Sequence, residues 1–154
     1  MQAEPIELQV DIERSAQDVF EYIRDYAKEP EWQPDALEAT SDPPGAAQVG
    51  TRVHMKRRTP FGAQSFTVEV TDLDEGARTM RDQAEDGTFA GTVVEWGVDE
   101  VGSQSRLRIR MIPEVQGFPA TLLRLGFARK KMLQSVSHTW SQNLARLASQ
   151  MREG

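Results

Sequence analysis

Residues 10–32 read VDIERSAQDVFEYIRDYAKEPEW, and this stretch decides how the chain begins to fold. It contains the end of Ile6–Ile12, where apolar and polar residues alternate, which is the pattern of a strand with one buried face. Ser15 and Asp18 follow at the spacing of a capping box, which predicts the start of a helix. Apolar residues then recur at helical spacing as far as Ile23. A short amphipathic helix should therefore follow the first strand.

The segment after this helix changes character. Pro30 and Pro34 interrupt it, so residues 28–34 form at most a second short helical piece. From Leu37 to Pro113 the apolar residues alternate with polar ones, and turn sequences such as Asp86-Gly87 separate the runs. Strands joined by short turns indicate an antiparallel meander with one dry face. After Ile6–Ile12, the expected strands are Thr51–Thr59, Phe66–Val70, Ala77–Asp82, Val94–Val98 and Leu107–Met111, and about seven are expected in all.

The end of the chain changes to a helical period. After Gly117-Phe118-Pro119, the apolar residues from Leu133 to Met151 are spaced by three and four positions. This spacing predicts a long amphipathic helix over roughly residues 119–151, which Gly126 would kink or divide. An apolar sheet face and an apolar helix stripe must bury each other. We expect an α+β fold in which a curved antiparallel sheet wraps around this C-terminal helix, with two short helices after the first strand.

Length and composition indicate a single domain and exclude several classes of protein. The 154 residues fit one domain, which we expect to span residues 1–154. The chain has no cysteine, which excludes disulfides and thiolate metal sites. No apolar run reaches the length of a membrane span, and residues 1–10 lack the basic-then-apolar order of a signal peptide. We therefore expect a cytoplasmic protein without stable membrane insertion.

Charge is distributed unevenly along the chain. Residues 1–100 hold 22 acidic and 9 basic residues, whereas residues 101–154 hold 2 acidic and 9 basic ones. The net charge of −6 argues against a nucleic-acid partner, because binding needs clustered cations. The basic final third either pairs with the acidic body and solvent or meets an anionic partner. Its densest part, Arg129-Lys130-Lys131 with Arg124, is either a solvated helix face or a site for anionic lipid head groups.

Three features together resemble a known superfamily. They are the opening stretch VDIERSAQDVFEYIRDYAKEPEW, the segment VGTRVHMK at residues 49–56, and the long final helix. This order resembles the START-like superfamily, also called SRPBCC, which includes the Bet v 1 allergens and the polyketide cyclase/dehydrase group. The resemblance covers essentially the whole chain. It implies a helix-grip fold with a cavity between the sheet and the long helix. Relatives bind lipids, sterols, hormones, quinones or polyketides, and only some catalyse a reaction.

Side chains on the inward phase of each element are the candidate ligand contacts. The apolar ones would line such a cavity with polarisable walls, although they would equally fill an ordinary core. Thr92 and Arg57 share the phase of the apolar strand positions. Arg57 would hold an anionic ligand end through two hydrogen bonds, or would extend to water at the strand end. The apolar candidates are Trp32, Met55, Phe66, Met80, Trp96, Met111, Leu122 and Trp140.

No metal or organic cofactor is expected, since no cluster has ligand spacing. His54 and His138 should point to solvent from their positions on a strand and a helix. Phe61, at a turn tip, would gate the cavity, dip into a membrane or make a satellite contact. We expect binding of a small hydrophobic or amphipathic ligand. The alternatives are a polyketide cyclase/dehydratase using Arg57, Tyr22 and Asp82, and a partner-binding domain using the basic helix. A homodimer stays open.

Overall fold

A computed structural model describes residues 1–153 and shows one seven-stranded antiparallel sheet. Its spatial order is β1-β7-β6-β5-β4-β3-β2, so β1 and β2 are its two edges. Consecutive strands from β2 to β7 pair with each other, as the short turns predict. The strands are β1 Ile6–Ile12, β2 Ala36–Asp42, β3 Arg52–Thr59, β4 Gly62–Asp74, β5 Thr79–Ala84, β6 Val93–Val101 and β7 Gln104–Ile112.

Two short helical pieces connect the edge strands β1 and β2. Helix α1 covers Ala16–Ile23, and the Ser15 side chain accepts the backbone N–H of Asp18, which satisfies a free donor at the helix start. A single 3₁₀ turn over Tyr26–Lys28 leads into α2, Glu29–Trp32, which has proline in its first turn. The predicted pair of short helices after the first strand is confirmed.

Strand β5 begins later than the sequence pattern predicted, because of the turn that precedes it. Strand β5 begins at Thr79, whereas the sequence pattern predicted Ala77. Ala77 donates its backbone N–H to the Asp74 side chain at 3.0 Å, and Arg78 takes a left-handed φ of 54°. These two features form the turn after β4, so the hydrogen-bonded pairing of β5 with β4 begins two residues later than predicted.

Helix α4 covers Gly126–Glu153 and packs against β1 and α2. The single helix expected over residues 119–151 is wrong at its start, because a separate helix α3 covers Gly117–Leu122. Backbone bonds at three-residue spacing, such as Leu125 N–H to the Leu122 carbonyl at 3.1 Å, end α3. Leu123 is buried in a small satellite core, which holds the bend. The predicted glycine break at Gly126 is therefore where α4 begins.

The main core lies between the inner sheet face and the helices α1 and α4, and the sheet bends around it. Register shifts in β2 and β4 add local bends, as β-bulges do. Within the described part of the chain, none of the helices has the length and apolar character needed to cross a membrane. The architecture is the curved sheet around a C-terminal helix that the sequence predicted.

Candidate functional site

A cavity of about 300 Å³ lies between the inner face of the sheet and α4. Strands β3 to β7 supply its walls, α4 closes it from the other side, and the segment from the 3₁₀ turn to β2 supplies polar groups. Alternation along each strand puts every second side chain inside. The lining residues are Tyr26, Glu29, Asp35, Met55, Arg57, Arg58, Thr59, Pro60, Phe66, Val68, Asp82, Ala84, Phe89, Thr92, Val94, Trp96, Met111, Ser135, Val136, Thr139 and Trp140.

All three tryptophans of the chain pack together beside this cavity. The Trp96 ring lies edge-on to Trp140 at 5.7 Å and to Trp32 at 6.3 Å between ring centres. Tyr26 adds a fourth ring, 6.5 Å from Trp96. Such edge-to-face contacts are favourable, and they fix the rings in place. The cavity therefore has one rigid aromatic wall.

Asp82 is the polar centre of the inner sheet face. It is 4% exposed and lies on β5 between Met80 and Ala84 in the inward phase. Its Oδ2 accepts hydrogen bonds from the Tyr26 hydroxyl at 2.6 Å and from the Trp96 indole N–H at 3.0 Å. Burial raises the pKa of Asp82 to about 6, while the two hydrogen bonds oppose the shift. A carboxyl with a pKa near neutrality thus faces the cavity.

A second carboxyl, Glu29, is buried at the start of α2. Burial raises its pKa to about 7; the Arg57 guanidinium opposes this shift, while the nearby Asp82 and Asp35 carboxylates add to it. Burial beside Asp82 also raises the pKa of the Tyr26 hydroxyl well above its usual value. The carboxyls of Glu29 and Asp82 thus give the cavity an acidic polar end that can exchange protons near neutral pH.

Arg57 is already paired. Its Nη1 donates to Asp35 Oδ2 at 2.6 Å and its Nη2 donates to Glu29 Oε2 at 2.9 Å. The guanidinium also lies 5.3 Å from the centre of the Trp140 ring, and Asn143 donates to the other oxygen of Asp35 at 2.8 Å. Arg57 thus faces the cavity with two carboxylates in its fork, so an anionic ligand end would have to displace one of them; its role towards a ligand stays a prediction.

Eight of the candidate residues line this cavity. Three others, Trp32, Met80 and Leu122, lie elsewhere. Trp32 and Met80 are fully buried behind the lining, in the core. Leu122 is 43% exposed, so placing it in the wall was wrong: the break before α4 turns α3 away, and Leu123 is buried instead. The eight that line the cavity are Met55, Arg57, Phe66, Asp82, Thr92, Trp96, Met111 and Trp140.

Tyr22, the tyrosine expected to offer its hydroxyl to the cavity, lies outside the cavity lining. Its hydroxyl donates to Glu31 at 2.8 Å near the surface, whereas Tyr26 reaches the cavity. Sequence reasoning also missed Glu29 and Asp35. Tyr26 and Glu29 lie on helical pieces of three and four residues, and Asp35 lies in the turn that follows, so none of these segments is long enough to show a period. The only signal was the pair of acidic residues that flank Pro30 and Pro34, on either side of a tryptophan.

The other sequence features lie away from the cavity. His54 and His138 are exposed, as expected. Phe61 packs on Phe89 with ring centres 5.9 Å apart, so it makes the satellite contact rather than projecting freely. Within residues 1–153, no group of three histidine or acidic side chains is arranged to hold a metal ion.

A wider depression of about 710 Å³ lies on the outer face of the sheet. It is crossed by ion pairs, such as Arg108 with Asp99 at 2.6 Å and Arg110 with Glu95 at 3.0 Å. The arginines of β7 thus pair with the acidic part of the chain. Its charged lining differs from the mostly apolar lining of the cavity on the inner face.

Comparisons with known proteins agree with this architecture. The family model described as polyketide cyclase / dehydrase and lipid transport matches residues 5–152. No curated protein matches the sequence. Among solved structures, the Zhui aromatase/cyclase from a Streptomyces strain is 15% identical, with a TM-score of 0.80 over 99% of this chain and 94% of that one.

Two further structures show the same fold. The di-domain ARO/CYC protein StfQ of the steffimycin biosynthetic pathway is 18% identical, with a TM-score of 0.74 over 97% of this chain and 50% of that one. A START superfamily protein from Mycobacterium smegmatis is 12% identical, with a TM-score of 0.68 over 94% of this chain and 99% of that one. The fold is thus the helix-grip fold of the START and Bet v 1 superfamily.

Proposed function

The chain belongs to the polyketide cyclase/dehydrase and lipid transport family, and we propose that it binds a small hydrophobic or amphipathic molecule in the cavity between the sheet and α4. The observation that carries this proposal is the mostly apolar cavity itself. An apolar cavity of about 150 Å³ holds one benzene molecule, so about 300 Å³ accommodates two fused aromatic rings. Mostly apolar walls with a few convergent polar groups are typical of ligand sites.

Filling the cavity tests this proposal directly. Ala84 is buried in the cavity wall, so Ala84→Leu projects a larger side chain into the space. The probe is acedan, a neutral dye built on two fused aromatic rings, whose fluorescence rises in apolar surroundings. We expect the wild-type protein to bind it and Ala84→Leu to bind it at least about tenfold more weakly, the loss of about 1.4 kcal/mol of apolar contact.

The matched control is Ala63→Leu, at an exposed position of β4, which should bind the dye as the wild type does. Equal binding by all three proteins, or none by the wild type, would contradict the proposal. Native mass spectrometry of protein purified from its own host then identifies any retained molecule.

A second candidate is an enzyme of the cyclase/dehydratase type. It is favoured by Asp82 and Glu29, two cavity carboxyls whose pKa values of about 6 and 7 suit a general acid or base near neutral pH. The test is incubation with a synthetic linear polyketide, followed by mass spectrometry for loss of water. Asp82→Asn should then lose turnover while still binding the substrate.

The proposal involves no nucleic acid. The net charge is −6, and the β7 arginines are engaged by carboxylates on the outer face of the sheet. They are therefore not free to displace counterions from phosphates. A cytoplasmic location and a homodimer both stay predictions.

A further inference from the structure

The polar end of the cavity carries more negative than positive groups. Three carboxyls, those of Glu29, Asp35 and Asp82, face two guanidinium groups in the lining. Arg57 pairs with Glu29 and Asp35, and Arg58 is exposed. Each terminal nitrogen of Arg57 donates to a carboxylate, Nη1 to Asp35 and Nη2 to Glu29. An incoming carboxylate or phosphate would have to displace one of these partners and leave it buried without a counter-charge, which is costly.

One acceptor at this end has no donor. Asp82 is 96% buried, and both of its hydrogen bonds, from Tyr26 and Trp96, go to Oδ2. Among the described residues, no side chain or backbone N–H bonds to Oδ1, although Asp82 lines the cavity. An ionised carboxylate oxygen is an acceptor only, so at a cavity wall it can bond a donor that enters the space. Oδ1 is therefore placed to accept a hydrogen bond from whatever fills the space.

We propose that the cavity selects small apolar molecules that end in a neutral hydrogen-bond donor, such as a phenol or alcohol, and rejects those that end in a carboxylate or phosphate. This proposal rests on the proposed ligand binding. A hydroxyl on the ligand donates to Asp82 Oδ1, while its rings pack on Trp96, Trp140 and the apolar strand residues. An ammonium end is disfavoured because a buried charge must be desolvated, a cost that a neutral donor does not carry.

Three competitors of nearly equal size test the polar end. Naphthol, methoxynaphthalene and naphthoate share one ring system and present a donor, no donor and an anion. Each is used to displace acedan at neutral pH. We expect naphthol to compete best, methoxynaphthalene about two- to tenfold less well for want of one hydrogen bond, and naphthoate at least about tenfold less well.

The outcomes separate the two proposals. If the dye itself does not bind, the proposed function fails. If the dye binds but naphthoate competes as well as naphthol, ligand binding stands and the selectivity proposed here is refuted. This comparison needs only the wild-type protein, so it does not depend on a variant folding.

A variant then assigns the selectivity to Asp82. Asp82→Asn keeps the size of the side chain, removes the negative charge and adds a donor, so the preference for naphthol over naphthoate should fall to about threefold or less. Asp72→Asn, at an exposed position of the neighbouring strand, is the matched control and should keep the wild-type preference. Circular dichroism establishes that both variants fold. An unchanged preference in a folded Asp82→Asn would refute the assignment.

Discussion

Raising the pH from 5 to 8 should destabilise the folded protein through its two buried carboxyls. Folding raises the pKa of Glu29 from 4.5 to about 7 and that of Asp82 from 3.8 to about 6, because burial disfavours the charged form. At a pH between the unfolded and the folded pKa of each group, the folded state holds a proton that the unfolded state has released. The resulting stability is fully present below the unfolded pKa and is lost as the pH rises through the folded one.

The size of the effect follows from the two pKa shifts. Each pKa unit corresponds to about 1.4 kcal/mol, and integrating between pH 5 and pH 8 gives a loss on the order of 2.5 kcal/mol from Glu29 and 1.4 kcal/mol from Asp82. Asp11 and Asp99 have lowered pKa values because arginines bond to them, so their contribution changes below about pH 4, outside this window.

Urea unfolding followed by tryptophan fluorescence measures the effect, since all three tryptophans are buried beside the cavity. Glu29→Gln should remove the larger part of the fall in unfolding free energy between pH 5 and pH 8. Glu38→Gln, at an exposed position of β2, should leave the fall unchanged. A wild-type stability that stays level or rises over this range would refute the reasoning, as would identical profiles for the wild type and Glu29→Gln.

Two further predictions concern stability. Arg57→Ala removes the cation that pairs with Glu29 and Asp35, so it should lower the free energy of unfolding by about 3–5 kcal/mol at pH 8. The loss should be smaller at pH 5, where Glu29 is protonated. Urea unfolding at both pH values measures it, and a loss no larger than that of the exposed Arg52→Ala would contradict the prediction. Ser15→Ala removes the cap that accepts a backbone N–H at the start of α1 and should cost about 1 kcal/mol in the same assay; Ser15→Asp, which restores an acceptor, should recover most of that loss.

The faces of the strands were accessible from the sequence. Side chains alternate along a strand, so shared phase with Val53 and Val94 was enough to place Met55 and Trp96 on the inner face. The same rule placed Met111 there. The strand β1 matches its predicted bounds because the alternation ends where the helix cap begins.

The polar end of the cavity depends on tertiary structure. The phase of Arg57 predicted that it faces inward, but its partners Asp35 and Glu29 lie 22 and 28 residues away, and Asn143, which holds Asp35, lies 108 residues further along the chain. Local periodicity records which face a residue occupies and carries no information about which distant charge it meets.

The order of the elements and the buried side of each follow from the local spacing of apolar residues, so both can be predicted from the chain alone. The bend between α3 and α4 and the chemistry at the cavity arise from contacts between residues far apart in the chain. Burial of Leu123 in the satellite core decides the bend and turns Leu122 outward. Close approach of Glu29 and Asp35 to the Arg57 guanidinium makes the arginine expected to bind an anion part of an acidic site.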